Sequence, residues 1–103
     1  MALDLKTNKE EGALTVELSG ELNTLTAPEL KALLDENLPE IQSLFLDFTD
    51  CDYVSSAGLR VLLDAFKTMQ ADDRTMELKN VGPEFSEVLE VTGLDIVFGC
   101  AKE

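Results

Sequence analysis

Two adjacent serines, Ser55 and Ser56, precede Ala57 and Gly58 where an apolar pattern of helical spacing begins. A hydroxyl at such a place meets the unpaired N–H groups and the partial positive charge of a helix start, so it can cap those donors. A phosphate on the same oxygen would be stabilised by that terminus rather than break the fold. Capping is the plainer of the two roles, because caps are common and functional serines rare. Three aspartates nearby, Asp47, Asp50 and Asp52, could form an oxygen-only site for Mg²⁺ or Ca²⁺, or Asp47 could accept a phosphoryl group as in a receiver domain. No second acidic pair follows the earlier strands, so turn formation and hydrogen bonding to neighbouring N–H groups is the stronger reading of these carboxylates. Cys51 and Cys100 stand far apart and supply at most two thiolates, which read as reduced and structurally ordinary.

Composition removes whole classes of chemistry. The 103 residues include no histidine, so no imidazole is present to take a nucleophile's proton near neutral pH, and Ser-His-Asp and Cys-His catalysis are closed off. Eight basic against 21 acidic side chains give a formal charge of −13. Nucleic acid and anionic lipid are poor partners for such a surface, since non-specific binding to polyphosphates is driven by Lys and Arg clusters. Apolar runs reach about six residues, against the roughly 20 that span a bilayer, and the first residues lack a signal-peptide pattern. A cytoplasmic protein that binds no membrane is expected. A hydrophobic fraction of 45% suffices for one core at this length, so residues 1–103 read as a single domain that needs neither disulfide nor metal.

The elements that must carry Ser55 and Ser56 follow from periodicity. Residues 3–7 and 13–19 alternate apolar and polar side chains around Glu10, Glu11 and Gly12, which reads as a hairpin. Pro28 stands in a first helical turn, and Leu30, Leu33, Leu34 and Leu38 continue a helix to about Pro39. Residues 44–48 suit a central strand covered on both faces, with residues 49–54 as a loop. A second helix starts near Ser56, and Leu59, Leu62, Leu63, Phe66 and Met69 recur in it with helical spacing to about residue 70. A parallel strand over Thr75–Lys79 follows, after a solvated turn at Asp72, Asp73 and Arg74. A third helix over residues 83–91 turns Phe85, Val88 and Leu89 to one face and stops at Gly93, and a short strand or turn holds Ile96, Val97 and Phe98. The five phenylalanines, with Met69 and Met76, read as core. The fold class is therefore α/β, with a mixed, mostly parallel sheet of four to five strands and three helices packed on it. Partners of such sheets gather at the strands' carboxyl ends, where two loops, residues 20–26 and 50–58, should meet.

Those two segments also carry a resemblance. Residues 20–30, Gly-Glu-Leu-Asn-Thr-Leu-Thr-Ala-Pro-Glu-Leu, Leu46-Asp47-Phe48, and residues 53–63, Tyr-Val-Ser-Ser-Ala-Gly-Leu-Arg-Val-Leu-Leu, resemble the STAS family of sulfate transporter and anti-sigma factor antagonist domains. Residues 91–95, Val-Thr-Gly-Leu-Asp, are similar to the family's usual ending. The resemblance implies a regulatory binding protein, not an enzyme, with no cofactor and no metal. It implies an anti-sigma factor serine kinase as partner, bound by the unphosphorylated form so that a sigma factor is freed, and a phosphatase that resets the modification. Carried over, the acceptor is Ser56, two residues before Gly58. Where many relatives have Asp before the acceptor this chain has Ser55, which becomes the second candidate. The contact surface implied is Asn23, Thr24, Thr26, Tyr53, Ser55, Ser56, Ala57, Gly58 and Arg60. The alternative is a non-phosphorylated STAS module for interaction or ligand sensing within a larger assembly, and the choice between monomer and weak dimer stays open.

Overall fold

In the computed structural model, residues 3–93 are described. Strands β1 (Leu3–Glu10) and β2 (Ala13–Leu22) lead into helix α1 (Ala27–Asn37) and a 3-10 turn, Leu38–Glu40. Strand β3 (Ser43–Val54), helix α2 (Ser56–Ala71), strand β4 (Thr75–Lys79) and helix α3 (Pro83–Thr92) complete the order. The sheet runs β1-β2-β3-β4, antiparallel in its first pair and parallel in the other two. The expected final strand at Ile96–Phe98 and the thiol of Cys100 lie outside the described residues.

Alternation decides which face is buried. Leu14, Val16 and Leu18 on β2, Leu44, Leu46 and Phe48 on β3, and Met76 and Leu78 on β4 share one face and are all buried. Leu30 and Leu34 of α1, Leu62 and Met69 of α2, and Phe85 and Leu89 of α3 complete the same cluster. The rings of Phe48 and Phe85 lie 5.3 Å apart between centroids. The hairpin between β1 and β2 turns through Glu11 and Gly12, both at positive φ (48° and 84°), the twist that two-residue hairpin loops require.

Several expectations need correction. β3 is not covered on both faces among the described residues: Phe45, on the face away from the helices, is only half-buried, and the Lys79 ammonium sits 4.6 Å from its ring centre. Val88 is 45% exposed and does not share the buried face of Phe85 and Leu89. Residues 20–22 and 49–54, read as loop, are strand. Their Gly, Asp and Glu content argues against β structure, yet pairing shifts between Glu17 and Ser19 and between Gly20 and Glu21 let the parallel ladder continue to Leu22 and Val54. Arg74 is not solvated; its side chain is 9% exposed and reaches the carbonyls of Leu38 and Ile41.

Candidate functional site at the start of α2

β2 and β3 are parallel neighbours, so the segments that leave their carboxyl ends emerge side by side. The Ser55 N–H donates to the Leu22 carbonyl at 2.8 Å, which ties the two together. A Cβ built on Gly58 would lie 2.6 Å from Leu22 Cγ, so only glycine lets α2 come this close to β2.

The two serines divide the work. Ser55 has extended backbone (φ −84°, ψ 173°), and its Oγ accepts from the Gly58 N–H at 3.2 Å while its carbonyl accepts from Leu59 N–H at 2.9 Å. It is the N-cap of α2, half-buried and committed. Ser56 is the first helical residue; it is exposed, and its hydroxyl bonds no other described residue. Ser55→Ala should therefore lower stability by about 1 kcal/mol in urea unfolding, and Ser56→Ala by less than about 0.5 kcal/mol. Equal losses at the two positions would contradict this division.

The first segment is built around Asn23. Its Oδ1 accepts from the N–H groups of Leu25 (2.9 Å) and Thr26 (3.0 Å), and Thr26 Oγ1 accepts from Asn23 N–H at 2.8 Å while donating to the Glu21 carbonyl at 2.7 Å. Thr26 is only 3% exposed, so it holds the turn from behind and is not surface for a partner. Gly58 is likewise buried, whereas Thr24, Tyr53, Ser56 and Arg60 are exposed and Asn23 and Ala57 half-buried. Leu25, 80% exposed, was not among the expected contact residues. Its signal in the sequence is a leucine that stands outside the spacing of Leu30, Leu33 and Leu34. Beside Tyr53 lies a groove of about 120 Å³ lined by Val54, Glu84, Phe85 and Val88. Cys51 is a buried thiol whose Sγ lies 3.5 Å from the Tyr53 carbonyl.

Charge marks the spot as well. α1 and α3 carry Glu29 and Glu84 in their first turns, the usual partner of a positive helix end, but the first turn of α2 has no acidic residue. In a chain with 21 acidic side chains, the turn that begins at Ser56 carries none of its own.

Asp47 belongs to the framework. Its Oδ1 accepts from Thr49 N–H (2.9 Å), Thr49 Oγ1 (2.6 Å) and Asn80 Nδ2 (3.0 Å). Burial would raise this carboxyl, but those hydrogen bonds, with Lys79 close by, hold it below the ordinary carboxylate range. Its contribution to stability is thus present above the unfolded carboxylate's pKa and lost as pH falls through the lowered value. Among the described residues no three carboxylate or thiol groups come together as metal ligands would.

The model of the STAS domain matches residues 4–102. The chain belongs to the STAS family. This STAS domain is 32% identical, over 97% of its length and 87% of the relative's, to BtrV of Bordetella bronchiseptica, a candidate anti-sigma factor antagonist. It is 24% identical to the anti-sigma-B factor antagonist of Staphylococcus aureus, over 91% of this chain and 88% of that protein. An anti-sigma factor antagonist from Mycobacterium paratuberculosis superposes with a TM-score of 0.86 at 22% identity, covering 98% of this chain and 86% of that one. SpoIIAA of Bacillus, solved in its phosphorylated form, superposes at 0.78 with 17% identity, covering 97% and 93%. At those identities the two structures establish the STAS fold, and the mixed sheet under three helices agrees with it. No described helix of the domain is long and apolar enough to cross a membrane.

Proposed function

We propose that this STAS domain is an anti-sigma factor antagonist whose hold on an anti-sigma factor serine kinase is set by phosphorylation of Ser56. The observation that carries the reading is the state of that hydroxyl: exposed, unbonded among the described residues, and on the first residue of α2, while its neighbour Ser55 is taken up by capping. Relatives that cover nearly the whole chain bear the name of anti-sigma factor antagonists, and SpoIIAA exists in unphosphorylated and phosphorylated forms. The unmodified domain binds the kinase and so frees a sigma factor in the cytoplasm; a phosphatase restores that state. Asn23, Thr24, Leu25, Tyr53, Ser56, Ala57 and Arg60 form the contact surface, with Thr26 and Gly58 behind it.

The switch is local. Phosphorylation adds roughly 1.5 to 2 negative charges and three acceptor oxygens at a point that the partner covers. A hundredfold loss of affinity needs only about 2.7 kcal/mol, which an unmatched dianion in an interface supplies without a change of fold. The acidic surface of the domain suits a basic partner and chiefly speeds encounter.

Incubation with the kinase and ATP, followed by mass-spectrometric mapping, should place the phosphate on Ser56 and none on Ser55. Ser56→Asp should weaken kinase binding by about tenfold or more while leaving stability unchanged or slightly higher, because a carboxylate at this helix position is favourable. Unaltered affinity in Ser56→Asp, or modification at another residue, counts against the reading.

A further inference from the structure

We propose that Arg60 is the counter-charge within this chain for a phosphate on Ser56, an inference that rests on the reading of Ser56 as acceptor. The two residues are four apart in α2 and both are exposed. At that spacing side chains share one helix face with about 5–6 Å between Cβ atoms, and the anion-first order is the stronger of the two. Helical side chains also lean towards the amino end, which brings the Arg60 stem back over the turn that begins at Ser56. The pair closes without backbone movement.

Arg60 is available for this role. The ion pairs among the described residues use Lys9, Lys31 and Arg74, and Lys79 is held over Phe45. Asp64, the carboxylate one turn further along the same face, stands in the weaker basic-first order and forms no ion pair with Arg60. Glu21, on the β2 end that packs against Gly58, has Asn23 Nδ2 at 3.4 Å. The guanidinium fork offers two parallel N–H groups to phosphate oxygens, which a lysine ammonium does not. In the unmodified chain Arg60 is a cation beside a neutral hydroxyl on the partner-facing surface. Once Ser56 carries phosphate, Arg60 is drawn into the chain's own pair, so one modification alters both groups that a partner meets.

The full chain with phosphoserine encoded at position 56 tests this without any kinase. The ³¹P resonance followed against pH should show the second phosphate ionisation at lower pH in the Arg60 chain than in Arg60→Gln, with the protonation constant differing about threefold. Arg60→Lys should recover part of the difference and Asp64→Asn should enlarge it. Phosphoserine encoded at position 55, five residues from Arg60 and off its face, should not respond to Arg60→Gln. Identical titrations in the Arg60 and Arg60→Gln chains, both helical by circular dichroism, overturn the inference. Kinase labelling of a residue other than Ser56 overturns the acceptor reading and leaves this measurement standing by itself.

Discussion

Arg74→Ala should lower the unfolding free energy by about 3 kcal/mol, a large loss for one substitution. The Arg74 guanidinium donates through Nη1 to the Leu38 carbonyl and, at 2.8 Å, to the Ile41 carbonyl, both in the connection between α1 and β3. Leu38 and Ile41 are buried, so truncation strands the Ile41 carbonyl and leaves the Leu38 carbonyl with only the long bond from the Ile41 N–H, at 3.4 Å. The third contact, Nη2 to Asp72 at 3.2 Å, involves a largely exposed carboxylate and contributes little. Arg74→Lys should recover less than half of the loss, because both carbonyls are bonded through Nη1 and a lysine ammonium ends one bond short of that nitrogen. Urea unfolding with an unchanged m value is the measurement; a loss under about 1 kcal/mol would show that the carbonyls find other donors. Arg74 precedes β4 while Ser56 follows β3, and these strands are parallel, so the two residues stand at opposite ends of the sheet. Kinase binding per folded molecule should be untouched.

Arg74 also shows where a sequence stops being readable. Its position between Asp73 and Thr75 looks like solvated turn, and nothing local points to carbonyls 33 and 36 residues earlier in the chain. Thr26 fails for the same reason: as a polar residue before a helix it resembles surface, and only the reciprocal bonds with Asn23 and Glu21 bury it. The strand ends hid behind Asp50, Asp52 and Gly20, whose propensities are overridden by a ladder that absorbs them through irregular pairing. What local chemistry decides was legible. The leucine spacing of α1, the start of α2 at Ser56, the parallel strand Thr75–Lys79 and the stop of α3 at Gly93 each follow from period, cap or turn residue and stand as read. The candidate site was legible in its residues but not in its division of labour. Ser55 and Ser56 are equivalent as letters; the Gly58 N–H, claimed by one of them, separates their roles.

Gly58→Val should lower stability by about 3 kcal/mol, and Gly58→Ala by about 2 kcal/mol, against an intrinsic helix preference that would favour alanine by about 1 kcal/mol. The added Cβ would stand 2.6 Å from Leu22 Cγ, 2.9 Å from Leu22 Cδ2 and 3.1 Å from the Leu22 carbonyl oxygen. Leu22 has nowhere to go: its side chain is fully buried and its carbonyl is held at 2.8 Å by the Ser55 N–H. Relief must come from α2 moving off β2, and that shift carries Ser55 and Ser56 away from the turn of Asn23 to Thr26. Kinase binding and labelling of Ser56 should therefore fall in Gly58→Ala even at temperatures where the variant is fully folded. A double-mutant cycle separates collision from other causes. If the methyl meets Leu22, Gly58→Ala should be at least 1 kcal/mol less damaging in a Leu22→Ala background than in the parent, since the smaller side chain leaves room for it. Additive losses would place the strain elsewhere and remove the reason for the glycine at this helix start.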